Sequence, residues 1–141
     1  MDPDELRRIA ENAVAQRIEK ERQLVEERNA YHQRKVEEAI AEEWAKARKA
    51  IADMDSVVVN AAKRGQRTAI VYSAHESGYL PRMFKARRKE HWWTGDERIV
   101  TKFVGRIPDY AQYVFDNCPK NLKPQWKPNS SAHTIELHVH W

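Results

Sequence analysis

Residues 40–65 read IAEEWAKARKAIADMDSVVVNAAKRG, and this stretch decides the fold. Its apolar side chains recur four and three residues apart, which is the spacing of a helix that buries one face against another helix. The residues with this spacing are Ile40, Trp44, Ala47, Ile51, Met54 and Val58. Gly65 follows two cations, Lys63 and Arg64, and such a sequence ends a helix. The stretch therefore predicts a long amphipathic helix that packs against a partner helix, as in a coiled coil.

The helical pattern continues back to the start of the sequence. Asp2 can cap the helix with Pro3 at its first position, and Glu5 completes a capping box. After Pro3, neither glycine nor proline occurs before Gly65. We therefore predict a helical stalk over residues 1–64 that oligomerises, with a dimer as the first expectation.

Two features divide this predicted helix. Between residues 18 and 36, polar side chains occupy positions where the heptad pattern expects apolar ones. They are Glu21, Arg28 and His32. That segment is either a stutter in a coiled coil or a largely solvated single helix. Residues 53–56 are a predicted hinge, because Asp55 or Ser56 could cap a second helix.

Beyond Gly65 the hydrophobic pattern changes from helical to mixed. The predicted elements are a strand at 68–73, a helix at 81–92, a strand at 98–104, a helix at 108–115, a proline-bearing linker at 119–132 and a strand at 134–141. The last strand alternates strictly between apolar and polar residues. The sequence thus predicts an α+β protein, in which the helical stalk precedes a small mixed αβ domain at 65–141 with a C-terminal edge or closing strand.

The order of these elements resembles a group of viral proteins. A helix ending in Ala61-Ala62-Lys63-Arg64-Gly65 is followed by a short strand, a helix and a strand ending in Leu137-His138-Val139-His140-Trp141. Over residues 57–141 the chain resembles small uncharacterised accessory proteins of tailed bacteriophages. The resemblance implies a phage-encoded accessory or virion protein in the host cytoplasm. It implies no single activity and no site residues.

Composition narrows the class of protein. The 141 residues contain 25 Lys and Arg, 21 Asp and Glu, and no uncharged apolar run long enough for a membrane span. Met1-Asp2-Pro3-Asp4-Glu5 has the acidic sign that a leader peptide lacks. Cys118 is the only cysteine, and we expect it to be a buried apolar residue in a reducing compartment. Four isolated glycines build no phosphate loop. We expect a cytoplasmic protein without a membrane segment or a cofactor.

Charge is distributed unevenly and marks a candidate binding segment. Residues 1–55 carry a net −3 and residues 56–141 a net +7. Residues 82–89 contain five cations and lead into Trp92 and Trp93. On the predicted helix, Lys85, Arg88, Lys89 and Trp92 share one face next to Arg82. Cations beside a stacking ring suit a nucleic acid or an anionic nucleotide. The alternative is a solvated basic face with the tryptophans in the core.

A second candidate site is a pair of histidines. His138 and His140 lie two apart on the last strand, so both rings leave the same face. A third ligand from His75, His133 or Cys118 would complete a zinc-like site. The alternative is an ordinary polar outer face of a strand, and we assign no metal.

The sequence gives little support for a catalytic group of a nucleophile and a histidine. The loop at 73–78 combines Ser73 with His75, and Cys118 could pair with a histidine, but neither has the local arrangement that activates a nucleophile. We therefore predict a non-enzymatic, oligomeric protein that binds nucleic acid or an anionic nucleotide. The alternatives are a virion or scaffold protein that assembles through the long helix, and an inhibitor of a host enzyme.

Overall fold

The computed structural model describes residues 1–90 and 97–141, and only the backbone at 87–90 and 97–100. The elements are α1 (Pro3–Lys63), β1 (Thr68–His75), β2 (Phe84–Glu90), β3 (Glu97–Phe103), α2 (Asp109–Asp116), a 3-10 turn (Lys120–Leu122), β4 (Gln125–Asn129) and β5 (Thr134–His140). The protein is α+β, as the sequence predicts. Its contacts divide it into two units, residues 1–38 and residues 39–141.

Asp2 and Gly65 cap the two ends of α1 as predicted, but among the described residues Glu5 does not complete the capping box. Asp2 Oδ1 accepts a hydrogen bond from the Asp4 N–H at 3.0 Å. At the other end Gly65 has a φ of +78°. Its N–H donates to the Ala62 carbonyl at 2.9 Å, and the Gln66 N–H donates to the Ala61 carbonyl at 3.0 Å. This is the Schellman arrangement, and only glycine adopts such a φ without steric strain.

The first unit, residues 1–38, consists of the N-terminal part of α1. Every side chain from residue 1 to residue 34 is exposed. Ion pairs one turn apart support this helix, among them Arg22 with Glu19 at 2.6 Å and with Glu26 at 2.9 Å. Exposed pairs of this kind contribute only about 0.2–0.5 kcal/mol each.

The second unit begins with the C-terminal part of α1, which forms part of its core. Ala47 is 0% exposed and Met54 3%, and both belong to the main hydrophobic cluster. Trp44 contacts Tyr110 and Tyr113 of α2, with ring centroids 6.5 and 5.5 Å apart. From Trp44 to Val58, the predicted apolar stripe is therefore buried or half-buried, but it packs in the chain's own core with the sheet and α2. The contacts divide the chain near residue 38, whereas the sequence predicted a boundary at 64.

The predicted hinge at 53–56 is not present, because α1 runs through these residues without a break. Val57 and Val58 pack against the core cluster just beyond them. Burial of these side chains compensates for the low helix propensity of a β-branched run.

The larger sheet is antiparallel, with the order β1-β5-β4. β5 is its central strand, and Ile135, Leu137 and Val139 are all 0% exposed. β1 pairs on one side with an irregularity at Val71, so that Val71 and Tyr72 are both buried. β4 pairs on the other side and carries Pro128, which an outer strand tolerates.

The predicted linker at 119–132 is therefore wrong, because it contains β4. That strand is short, and apart from the half-buried Trp126 its side chains are exposed. It lacks the apolar alternation that reveals a strand in the sequence. Pairing with β5, rather than a pattern of its own, makes this segment a strand.

The predicted helix at 81–92 is also wrong. Residues 84–90 form β2, which pairs antiparallel with β3 in a separate two-stranded sheet. Alanine, arginine and lysine favour a helix on local propensity, but β3 offers Ile99, Val100 and Thr101 as pairing positions. The helical face that grouped Lys85, Arg88, Lys89 and Trp92 therefore does not exist, and Trp92 lies outside the described residues.

Candidate functional site

The basic segment of the chain lies on the β-ribbon, which we define as β2 and β3. Among the described strands, these two pair only with each other, from Phe84 opposite Phe103 to Glu90 opposite Glu97. Residues 81–106, which contain the β-ribbon, have eight Lys or Arg and three Asp or Glu. The ribbon segment therefore carries a net charge of +5, out of +6 for the whole second unit, residues 39–141.

The base of the β-ribbon is fixed to the core of the second unit. Met83 is 0% exposed, and its carbonyl accepts hydrogen bonds from the N–H groups of Val104 at 3.0 Å and Gly105 at 2.8 Å. Phe84 and Phe103 meet edge to face with centroids 5.6 Å apart. A Cβ at Gly105 would lie 2.5 Å from the Arg82 carbonyl oxygen. Only glycine allows the chain to close here.

The register of the β-ribbon places like charges opposite each other. Lys85 lies opposite Lys102, and both are exposed. The backbone pairing also puts Lys89 opposite Arg98. Like charges at directly opposite positions destabilise strand pairing by roughly 0.2–1 kcal/mol. A protein that retains this charge repulsion is expected to use the same charges for a function. A bound polyanion would neutralise the charges and remove the repulsion.

The predicted anion-binding residues are partly brought together. Arg82 and Lys85 are exposed and line a cavity of about 480 Å³ at the base of the β-ribbon. Arg88 and Lys89 lie farther along β2. Sequence reasoning missed Arg98, Lys102 and Arg106, although their charges follow the same segment. The missing signal was the pairing of β3 with β2.

The two histidines on β5 do not form a metal centre with the described residues. His140 Nε2 lies 3.4 Å from Gln125 Oε1, and His138 Nε2 lies 3.7 Å from Glu136 Oε1. In residues 1–90 and 97–141, no three His, Cys, Asp or Glu side chains are close enough to hold a metal ion. His75 and His133 thus supply no third ligand. Cys118 is buried, as predicted, and burial raises the pKa of its thiol and so disfavours the metal-binding thiolate.

The candidate catalytic loop at 73–78 begins on β1, not after it. Ser73 and His75 are exposed at the end of that strand. Glu76 Oε2 lies 3.4 Å from His133 Nδ1, and the Glu76 N–H donates to the His133 carbonyl at 3.0 Å. These contacts join the turn after β1 to the turn before β5, which is a structural role.

A buried polar cluster that sequence reasoning missed lies beneath the sheet. Glu43 is 3% exposed, and Lys46 Nζ contacts its Oε1 at 3.1 Å. Glu43 Oε2 and the hydroxyls of Tyr72 and Tyr110 are buried without hydrogen-bond partners among the described residues. Burial and the negative charge of Glu43 raise the pKa of Tyr110 to about 12 and that of Tyr72 further. The cluster keeps both phenols protonated.

Comparisons with known proteins add no relative. No protein-family model matches the chain, and neither the curated proteins nor the solved structures contain a significant match. In the part of the chain that the structure describes, no helix has an apolar stretch long enough to cross a membrane. The chain's own geometry and charge are therefore the guide to its function.

Proposed function

We propose that this protein binds nucleic acid through the β-ribbon, with Arg82 just before β2, with Lys85, Arg88 and Lys89 on β2, and with Lys102 opposite Lys85 on β3. The main observation that supports this proposal is that Lys85 and Lys102 are exposed at directly opposite positions of a two-stranded ribbon. Cations on such a ribbon neutralise phosphates and release their counterions.

The form of nucleic acid that suits this geometry is duplex DNA. The major groove of B-DNA accepts either an α-helix or a two-stranded β-ribbon. A ribbon whose base is fixed to a core, as Met83 and Phe84 fix this one, enters a groove without losing much conformational freedom. Trp92, between the two strands in sequence, stays a predicted stacking residue.

A second part of the proposal is self-association through the first unit. This helix exposes apolar side chains that its own unit does not cover, namely Leu6, Ile9, Val14, Ile18, Leu24 and Val25. A helix without tertiary contacts has little stability of its own in water, and burial of this face in a second copy would stabilise it. A dimer would carry two β-ribbons, which fits an accessory DNA-binding protein encoded by a phage. The same face also supports the structural, virion-assembly alternative.

The test of DNA binding is a salt titration of a triple variant. Lys85→Gln, Arg88→Gln and Lys89→Gln are combined, and affinity for a short mixed-sequence duplex and for its single strand is measured by fluorescence anisotropy. If all three cations contact phosphates, the slope of log affinity against log salt should fall by about 2.7 on duplex DNA and about 2.1 on the single strand. Affinity should fall more than tenfold at roughly 50 mM salt.

The matched control removes three exposed cations of the same unit, by Arg48→Gln, Lys49→Gln and Lys120→Gln. It lowers net charge equally and is expected to change the slope by much less. Circular dichroism checks that both variants remain folded. Equal effects of the two variants, or an unchanged slope in the first, would contradict binding at the β-ribbon.

A further inference from the structure

We propose that a second site, the cavity between the end of α1 and the start of β1, binds a phosphate group. The cavity has a volume of about 480 Å³, and Arg64, Gln66, Arg67, Thr68 and His138 provide its polar lining. None of these residues belongs to the β-ribbon. The site therefore stands independently of the proposed DNA-binding function.

The two arginines give the cavity its anionic preference. Arg64 and Arg67 are both exposed. Among the described residues, neither has a carboxylate oxygen within the 4.0 Å of an ion pair. Guanidinium groups bind phosphate with paired, charge-assisted hydrogen bonds. The two guanidinium groups, which have no carboxylate partner among the described residues, line one cavity and together provide enough donors for a phosphate.

The C-terminal end of α1 lies at the cavity, but it repels an anion less than an ordinary helix C-terminus does. A helix C-terminus is negative because its last carbonyls are unpaired. Here the Ala61 and Ala62 carbonyls accept hydrogen bonds from Gln66 and Gly65. The chain turns back at Gly65, and this turn places Arg64 and Arg67 at one opening.

The remaining wall of the cavity is mixed, with polar groups beside the apolar side chains of Val57, Ala61, Ala69 and Ile70. Thr68 and Gln66 contribute a hydroxyl and an amide, both of which can donate to phosphate oxygens. His138 also lines the cavity, and its buried Nε2 lies 3.7 Å from Glu136 Oε1. The donors available to phosphate oxygens therefore come from the turn after α1 and from the start of β1.

A phosphate group could come from free phosphate or from a nucleic-acid backbone, and the chemistry of recognition is the same. The experiment uses the full chain, inorganic phosphate as the probe, and amide chemical shifts as the readout. We expect saturable shifts at residues 64–70. The variant Arg64→Gln/Arg67→Gln should weaken phosphate binding by roughly tenfold or more, because each charge-assisted contact is stronger than a neutral one.

The control variant Arg48→Gln/Lys49→Gln removes the same charge from exposed positions of α1 outside the cavity. It should bind phosphate as the wild type does. Shifts that do not saturate, that lie elsewhere, or that are equal in both variants would overturn the site. If phosphate and duplex DNA compete for residues 64–70, the site binds the phosphates of a DNA backbone. If phosphate binds saturably and DNA does not compete, the site binds free phosphate. Loss of DNA binding in the β-ribbon variant alone would leave this site intact.

Discussion

Three buried side chains in one cluster have polar oxygens whose burial lowers the stability of the fold. Glu43 lies among Tyr72 and Tyr110 with one carboxylate oxygen unpaired by any described residue. Burying a polar group without a partner costs about 1–3 kcal/mol, so three such oxygens are a substantial burden for one domain. The cluster is arranged so that the two phenols stay neutral next to the one negative charge.

This arrangement predicts a loss of stability at alkaline pH. The pKa of Tyr110 is about 12 in the folded chain and about 10 in the unfolded chain. Its contribution to the free energy of unfolding is therefore complete below pH 10. Above pH 10 the unfolded chain releases the proton first, and the free energy of unfolding falls as pH rises towards 12. By about pH 11 the loss from Tyr110 is on the order of 1 kcal/mol.

Urea unfolding between about pH 8 and pH 11 measures this loss. Tyr110→Phe should make the dependence of unfolding free energy on pH shallower. Tyr31→Phe, at an exposed position of the first unit, should leave it unchanged. Equal slopes in the wild type and in Tyr110→Phe would show that this phenol does not titrate differently on folding.

At the scale of elements, α1 is a single helix in two different environments. Its residues up to 34 are exposed, whereas Ala47, Met54 and Ala61 are buried in the second unit. The faces differ within the second unit too, since Met54 is 3% exposed and Val59 is 49% exposed. Truncation at Ser56 would therefore remove core residues and not merely a stalk.

Substitution along α1 should reveal this difference. Met54→Ala should lower the free energy of unfolding by about 2–5 kcal/mol, because it leaves a cavity in the core. Val59→Ala, on the exposed face of the same helix, should change it by less than about 0.5 kcal/mol. Denaturant unfolding of both variants makes the comparison. A similar small effect at Met54 would mean that α1 does not pack against the sheet.

For the whole molecule, the exposed apolar side chains of the first unit favour self-association. Ile18 and Val25 are seven residues apart and are 60% and 52% exposed. Burying such side chains against a second copy is worth about 1.5–3 kcal/mol each. Self-association is therefore a stronger expectation for this unit than a solitary helix.

Introducing negative charge on this face tests the expectation. Ile18→Glu/Val25→Glu should dissociate the oligomer, as measured by light scattering over a wide range of concentration. Gln16→Glu/Gln23→Glu adds the same charge on the opposite face of the helix and should leave the mass unchanged. A wild-type chain that is monomeric at every concentration, or a control that dissociates equally, would contradict assembly through residues 1–38.

Local chemistry determined several features directly from the sequence. The caps at Asp2 and Gly65 depend on residues within one turn, so the ends of α1 were predictable. β5 was predictable because its apolar residues alternate, and α2 because Pro108 precedes it. The cations of the candidate site were also visible, since charge is a property of composition and not of fold.

Only the tertiary structure decided how these parts are arranged. Residues 84–90 have helical propensity, yet they form a strand because their hydrogen-bond partners at 97–103 are supplied from another part of the chain. β4 forms because β5 has a second edge to pair. The apolar stripe from Trp44 to Val58 packs on its own unit because the sheet offers an apolar face. Propensity acts over a few residues, whereas pairing and burial depend on which distant segments meet. For that reason the charges of the site were predicted and their arrangement was not.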